Sequence, residues 1–452
     1  MEVTRTLARY VVNARYADVP AAVRKEAVRS VLNWLGCAVG ACRHEAVDCA
    51  LEALSPFAGK AEASVLGRTE KTDILLAALL NGISSHVFDF DDTHLPTIIH
   101  PAGPVASAIF PLAEHMPVTG TELLHAFILG VEAECRIGNS VYPEHYDVGW
   151  HITGTTGVFG AAAAAGKLLK LDEQQMVWAL GIAGTQSSGF REMFGTHCKS
   201  FHPGRAAQNG LSAALLAKAN FTSSNQVIEA KRGFANVMST RHDYARITEG
   251  LGKTFEVSLN SYKPFACGIV IHPAIDGCVQ LKKQHHLTGD EVAKVELTVA
   301  PLVLELTGKK TPQVGLEGKF SVYHSCAVAL LFGAAGEKQY SDAMVKDPKV
   351  VGLRDKVEAK IGKIRDDEVH VRLTLKDGRV LEKYIEHAIG SKEVPMTDQQ
   401  LDEKFHVLAD DVLGHDHAAR LLAMAWDIEK LADAADISRA CAPTAHTGRK
   451  RA

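Results

Sequence analysis

The densest run of reactive side chains lies at His86 to His100, HVFDFDDTHLPTIIH, with three aspartates and three histidines in 15 residues. Imidazoles and carboxylates at that density are the parts of acid–base catalysis; they are equally the ligands of zinc and iron. The spacing fits no fixed metal motif, and an EF-hand fails because no glycine stands at its sixth position. A metal-free acid–base site is therefore favoured over a metal centre or a capped, solvated loop. A second focus is Gly149 to Gly157, GWHITGTTG, where His151 precedes a Gly/Thr-rich helix start whose free N–H groups suit an anion. A third is Gly195 to Arg205, GTHCKSFHPGR, read as a turn leading into a helix. A fourth is Tyr262 to Gly268, YKPFACG, followed by His272-Pro273. Here Cys267 is a possible nucleophile, although a free cysteine is more often a small buried hydrophobe.

These foci offer imidazoles, ammonium groups, hydroxyls and helix starts, with few aromatic walls. Such a set suits a small di- or tricarboxylate. The same groups can remove a proton alpha to a carboxylate and protonate a departing hydroxyl. Nucleotide chemistry is disfavoured. Gly160 to Lys167 has five residues between its glycines where a phosphate loop needs four, and Leu168 replaces Ser/Thr. Gly154, Gly157 and Gly160 follow no strand and make no dinucleotide fingerprint. No Gly-x-Ser-x-Gly elbow occurs.

The elements that must position these residues change character along the chain. Up to about residue 265 the pattern is helix after helix: Arg24 to Val39, Asp73 to Phe88, a stretch opened by a Thr119/Glu122 capping box, Val158 to Leu169, Asp172 to Ala183, and Gly204 to Ala219. Beyond it, Lys294 to Ala300 and Val369 to Leu375 alternate with period two, and Asp377-Gly378 joins the latter to Val380–Ile385 as a hairpin. A small antiparallel sheet with helices is expected. Thr397 to Gln400 then reads as a capping box opening a return to helix. The expected fold is mainly α with an α+β lid: a helical domain from 1–265 and 398–452, and an inserted lid from 266–397.

Length and composition agree with more than one domain. The 452 residues are 46% hydrophobic and 23% charged, and 49 basic against 53 acidic side chains leave a net charge of −4. No basic excess exists to hold nucleic acid or an anionic membrane. Nine cysteines without a Cys-x-x-Cys pair argue against a disulfide framework or zinc knuckle and for a reducing compartment. With no signal-peptide core and no long apolar run, a cytoplasmic protein is expected. Asn220-Phe221-Thr222 is a sequon without meaning absent export, and Arg449-Lys450-Arg451 reads as a solvated end.

The ordered motifs DFDDTH…HP, GWHxTGTxGVFG, GTHCKxxHPGRAAxNG and YKPFACGIVIHPAID, with the closing EVPMTDQQLDEKF, resemble the MmgE/PrpD family over nearly the whole chain. That family includes 2-methylcitrate dehydratases, cis-aconitate decarboxylases and iminodisuccinate epimerases. The resemblance implies a helical domain plus lid with the site between them, a homodimer, and no cofactor or metal. It implies catalytic roles for Asp89, His100, His151, Lys199 and the lid residue Tyr323, and substrate binding by Thr93, Lys199, Lys263 and His272. Asp89 would orient a histidine, Thr93 would fix a carboxylate, and His100 and the two lysines would hold carboxylates. His151 would be the base or acid. Animal itaconate-forming members carry a histidine five residues after the junction lysine, where this chain has Gly268; His272 is the expected substitute. The implied activity is a hydro-lyase of the 2-methylcitrate type, with epimerisation or decarboxylation as the alternatives.

Overall fold

The computed structural model describes residues 2–444; the basic end at 449–451 lies outside them. The chain is mainly α, with one small α+β portion. The helices used below are α1 (Ala21–Gly40), α2 (Ile74–Val87), α3 (Ala102–His115), α4 (Gly120–Val141), α5 (Ile152–Leu168), α6 (His197–Lys218), α7 (His272–His285), α8 (Val322–Phe332), α9 (Asp398–Leu413) and α10 (His415–Trp426). The strands are β1 (Asp92–His94), β2 (Asn260–Tyr262), β3 (Val292–Val299), β4 (Val357–Ile361), β5 (Val369–Leu375) and β6 (Val380–Ile385).

Local chemistry accounts for the helix starts. Asp73 accepts from the amides of Leu75 and Leu76 at the head of α2. Thr119/Glu122 and Thr397/Gln400 form the expected capping boxes of α4 and α9. Two helices begin earlier than their apolar pattern announces. Thr196 caps α6 through the amide of Cys198, so the helix starts at His197 and runs through Pro203. The stretch read as a turn is thus helical. Its early proline lacks an N–H and removes the bond that the 199 carbonyl would otherwise accept. Likewise α5 starts at Ile152, directly after His151.

Helices α2 and α6 cross with their backbones in contact. A Cβ on Gly82 would lie 2.4 Å from the Cα of Gly204, so only glycine fits at this crossing. The contact brings the first turn of α6 beside the C-terminal end of α2. One apolar cluster joins α1, α3 and α4 to α9, α10 and Ile437. Another gathers Phe265 to Ala388, together with Cys37, Phe90 and Leu408.

The sheet is mixed rather than purely antiparallel, in the order β4-β3-β5-β6. β5 pairs antiparallel with β3 and β6, as the alternation and the Asp377-Gly378 turn required. Strand β4 joins β3 in parallel. Its VEAKI lacks clean alternation because only Val357 is buried, which hid it from a period-two reading. The helix α7 packs on β5, where a Cβ at Gly277 would lie 2.7 Å from Val371 Cγ2. The segment after the α+β portion returns to the helical part: the ammonium of Lys404 on α9 donates to Asn33 Oδ1 (2.7 Å) and to the carbonyls of Phe90 (2.6 Å) and Lys263 (2.8 Å).

Candidate active site

Helix α2 ends at Val87, and Asp89 takes a left-handed conformation (φ 51°) that turns the chain inward. The segment beyond is a buried hairpin-like insert, not a solvated loop. β1 pairs with β2 in register Asp92↔Tyr262, Thr93↔Ser261 and His94↔Asn260. That pairing sets Lys263, the residue after β2, beside Asp89. Asp92 fixes the insert by accepting from Ser30 Oγ (2.6 Å) and Asn260 Nδ2 (2.8 Å). Burial pushes its carboxyl up to about 7.

Two ammonium groups converge on one carboxylate oxygen. Lys263 Nζ donates to Asp89 Oδ1 at 2.7 Å and Lys199 Nζ to the same atom at 2.9 Å. The second oxygen, Oδ2, is buried without a partner. Burial alone would raise the pKa of Asp89, but the two lysines outweigh it and hold the carboxyl well below its ordinary range. Burial also opposes the charge of each lysine. For Lys263 the carboxylates of Asp89 and Asp91 outweigh it and the pKa is raised; for Lys199 burial wins and the pKa is lowered. Lys199 is thus the more easily discharged, although its Nζ lies 5.4 Å from the ring centroids of both Phe194 and Phe320.

The imidazoles are neutral. Burial pushes His100 down to about 3 and holds His86 and His151 below the usual range. The neighbouring His202 lowers His151 further, and burial holds His202 itself near 4. His100 Nδ1 lies 2.7 Å from the carbonyl of Asp92 and so must carry the hydrogen. Its Nε2 is then a free lone pair. His151 Nδ1 lies 2.8 Å from His202 Nδ1, so one of the two nitrogens donates and the other accepts. Among the described residues neither His100 Nε2 nor His151 Nε2 has a protein partner.

A narrow cleft, with a cavity volume of about 30 Å³, is lined by Asp89, His100, His151, Lys199 and Lys263, smaller than the usual small-ligand site. Tyr146 and Phe194 line it from the helical part, and Gly268 to Val270, Thr307 and Phe320 from the α+β part. Lys319 joins the two sides by donating to the carbonyls of Phe88 and Ala266. A roomier cleft, with a cavity volume of about 320 Å³, lies elsewhere, between Val12, Met116 and Leu171. Its Lys167 is engaged by the carbonyls of Val11, Val12 and Ala14, and it lacks converging acid–base groups.

Five of the expected residues thus share one cleft, and three do not line it. Thr93 is fully buried in β1 and its Oγ1 reaches His100 Nδ1 at 3.3 Å, so it supports an imidazole and not a carboxylate. Tyr323 lies on α8 in the apolar interior of the α+β portion and meets Lys310 over its ring. His272 is buried at the start of α7, bonds the Cys267 carbonyl at 3.4 Å and does not replace an imidazole at Gly268. Asp89 holds lysines, not a histidine. The carboxylate that meets imidazoles is Asp91, 2.6 Å from His86 Nδ1 and 3.7 Å from His100 Nδ1. Cys267 is fully buried with its thiol pushed up to about 12, unlike a nucleophile. Reasoning from the sequence missed the roles of His86, Asp91 and His202. His202 stands in HPGR, but it packs between Gly154 and Gly189, where an added Cβ would lie 3.0 Å from His202 Cβ and 3.1 Å from its ring respectively, a contact no spacing reveals. His86, Asp91 and His100 offer ligand atoms close enough to hold a metal. With the hydrogen of His100 Nδ1 held by the Asp92 carbonyl, its free Nε2 lone pair can serve a proton or an ion alike.

The MmgE/PrpD N-terminal domain matches residues 5–247 and the MmgE/PrpD C-terminal domain residues 265–430; the chain belongs to the MmgE/PrpD family. Cis-aconitate decarboxylase of Aspergillus terreus is 25% identical over 461 residues, spanning 95% of this chain and 94% of its own. Cis-aconitate decarboxylase of Homo sapiens is 26% identical over 381 residues, 79% and 77% of the two chains. The mitochondrial 2-methylcitrate dehydratase of Yarrowia lipolytica is 23% identical over 217 residues, 43% and 40% of the two. Among the described residues no helix is long and apolar enough to cross a membrane.

Proposed function

We propose that the chain is a hydro-lyase acting on a small hydroxylated di- or tricarboxylate of the 2-methylcitrate kind, with residues 266–397 closing the site as a lid. One observation carries the reading: two neutral imidazoles with unpartnered Nε2 atoms share a cleft with two ammonium groups and one carboxylate. The ammonium groups of Lys199 and Lys263 are placed to hold a substrate carboxylate by charge-assisted hydrogen bonds. Lys199, with burial lowering its pKa, is the natural partner because a bound anion restores its charge.

The acid–base assignment follows from tautomers. His100, with its hydrogen on Nδ1, presents a lone pair at Nε2 and takes the proton alpha to a carboxylate. The electron pair left on carbon forms the double bond as the beta hydroxyl leaves. His151, accepting at Nδ1 from His202, carries its hydrogen on Nε2 and hydrogen-bonds the departing oxygen. The proton taken by His100 passes to that oxygen through solvent, so the products are the unsaturated acid and water and His100 is neutral again. Positioned proton transfer of this kind contributes about 10²–10⁴-fold in rate per group.

Decarboxylation is the second reading, favoured by the near full-length similarity to cis-aconitate decarboxylase of Aspergillus terreus. Gly268 lines the cleft where the animal relatives would present a further imidazole, which weighs for dehydration. Epimerisation of a dicarboxylate needs only the proton abstraction. Incubation with 2-methylcitrate, citrate, cis-aconitate and iminodisuccinate, read by mass spectrometry, separates the three. Loss of water supports the proposal. Loss of carbon dioxide supports the second reading, and no mass change with solvent deuterium entering the alpha position marks an epimerase.

A further inference from the structure

We propose that His406, Asp410 and His415 form a surface site for a transition-metal dication of the zinc type, independent of the cleft. His406 and Asp410 stand one helical turn apart on α9 and share a face. The helix ends at Leu413, Gly414 turns the chain (φ 82°), and His415 opens α10. The turn folds the second imidazole back over the first: the ring centroids are 4.7 Å apart, with the planes inclined by 31°. The carboxylate lies against both rings, with Oδ1 2.8 Å from His406 Nδ1 and Oδ2 2.9 Å from His415 Nδ1.

These separations are those of ligands around one ion. Zinc takes nitrogen and oxygen donors at about 2.0–2.2 Å, which places neighbouring donors roughly 3 Å apart. The three donor atoms lie within 4.8 Å of one another, so closure onto an ion needs only side-chain adjustment. Without metal, each Nδ1–H donates to the carboxylate. On binding, each neutral ring carries its hydrogen on Nε2 instead, which has no protein partner among the described residues, and Nδ1 gives its lone pair to the ion. The hydrogen bond to Asp410 raises the pKa of His415, so metal binding also displaces a proton from a charged ring. His415 is exposed and the other two are half-buried, so the ion enters from solvent and water fills its remaining positions. Two imidazoles and one carboxylate suit zinc or its neighbours in the first transition row, not calcium or magnesium. The bound ion would clamp α9 to α10.

The test is calorimetric titration of zinc chloride into the chelator-stripped full-length chain, with thermal melts alongside, for wild type, Asp410→Asn and His415→Ala. The expected result is one equivalent of zinc per chain that each variant loses or binds at least tenfold more weakly. Metal-free melting of the variants should stay at the wild-type temperature, while zinc raises the wild-type melting temperature only. Absence of zinc binding by wild type, or retention of that equivalent at wild-type affinity in both variants, overturns the proposal.

Discussion

Replacing Asp89 by Asn is the sharpest perturbation of the cleft. The side chain keeps its shape and an oxygen that can face Lys199 and Lys263, but the charge both ammonium groups share is gone. Breaking a buried ion pair by removing one partner costs about 3–5 kcal/mol. Here two cations 2.7 and 2.9 Å from the lost charge are affected, so the upper part of that range applies unless Lys199 sheds its proton. The loss depends on pH with a definite sign. The folded-state pKa of Asp89 is depressed, so its stabilisation is present above the ordinary carboxylate value near about 4 and is lost as pH falls through the folded value. The gap between wild type and Asp89→Asn should therefore be widest at neutral pH and narrow in acid. Urea unfolding at a series of pH values measures it, and steady-state kinetics should show a raised KM because substrate meets a discharged Lys199. A gap below about 1 kcal/mol at pH 7, within the reach of an ordinary surface change, would refute the shared-charge account.

Three further outcomes follow from the same geometry. His151→Ala should lower kcat/KM by about 10²–10⁴-fold with the melting temperature and circular dichroism of wild type; wild-type turnover would remove His151 from the chemistry. The depressed folded-state pKa of His100, about 3, and the lowered values of His86, His151 and His202 mean that the unfolded chain binds protons first as pH falls. Stability should therefore decline from about pH 6.5 downward, and a flat profile between pH 7 and 5 in thermal melts would contradict neutral burial. Tyr323→Phe should change kcat/KM less than about threefold, well under one proton-transfer group's share, since the ring lies outside the cleft; a hundredfold loss would return Tyr323 to the site.

Much of the cleft was legible because its groups sit in short motifs at element boundaries. The clustering at His86 to His100, the proline after His100, and the lysines beside Gly- and Pro-rich turns all marked chain reversals where side chains converge. Those signs marked the segments, and the resemblance to the MmgE/PrpD family picked out Asp89, His100, His151, Lys199 and Lys263 within them. Which carboxylate serves which cation was not legible. Asp89 and Asp91 stand two residues apart, and only the left-handed turn at Asp89 sends one to the lysines and the other to the imidazoles. Tyr323 and His272 do not line the cleft for a related reason: being polar near a motif says nothing of direction, and each sits at a helix start facing the interior of the α+β portion. The helices read well wherever an apolar stripe ran to the cap. They read short at α5 and α6, whose first turns carry the polar residues of the site. Strand β4 was lost because one buried side chain makes no alternation.

The ammonium of Lys404, anchored on the carbonyls of Phe90 and Lys263, reaches back from the last tenth of the chain to the floor beneath Asp89. During synthesis the lysines and imidazoles emerge long before it does. A nascent polypeptide still lacking α9 has every reactive group but leaves those carbonyls without their donor. The floor of the cleft is therefore complete only once α9 has docked.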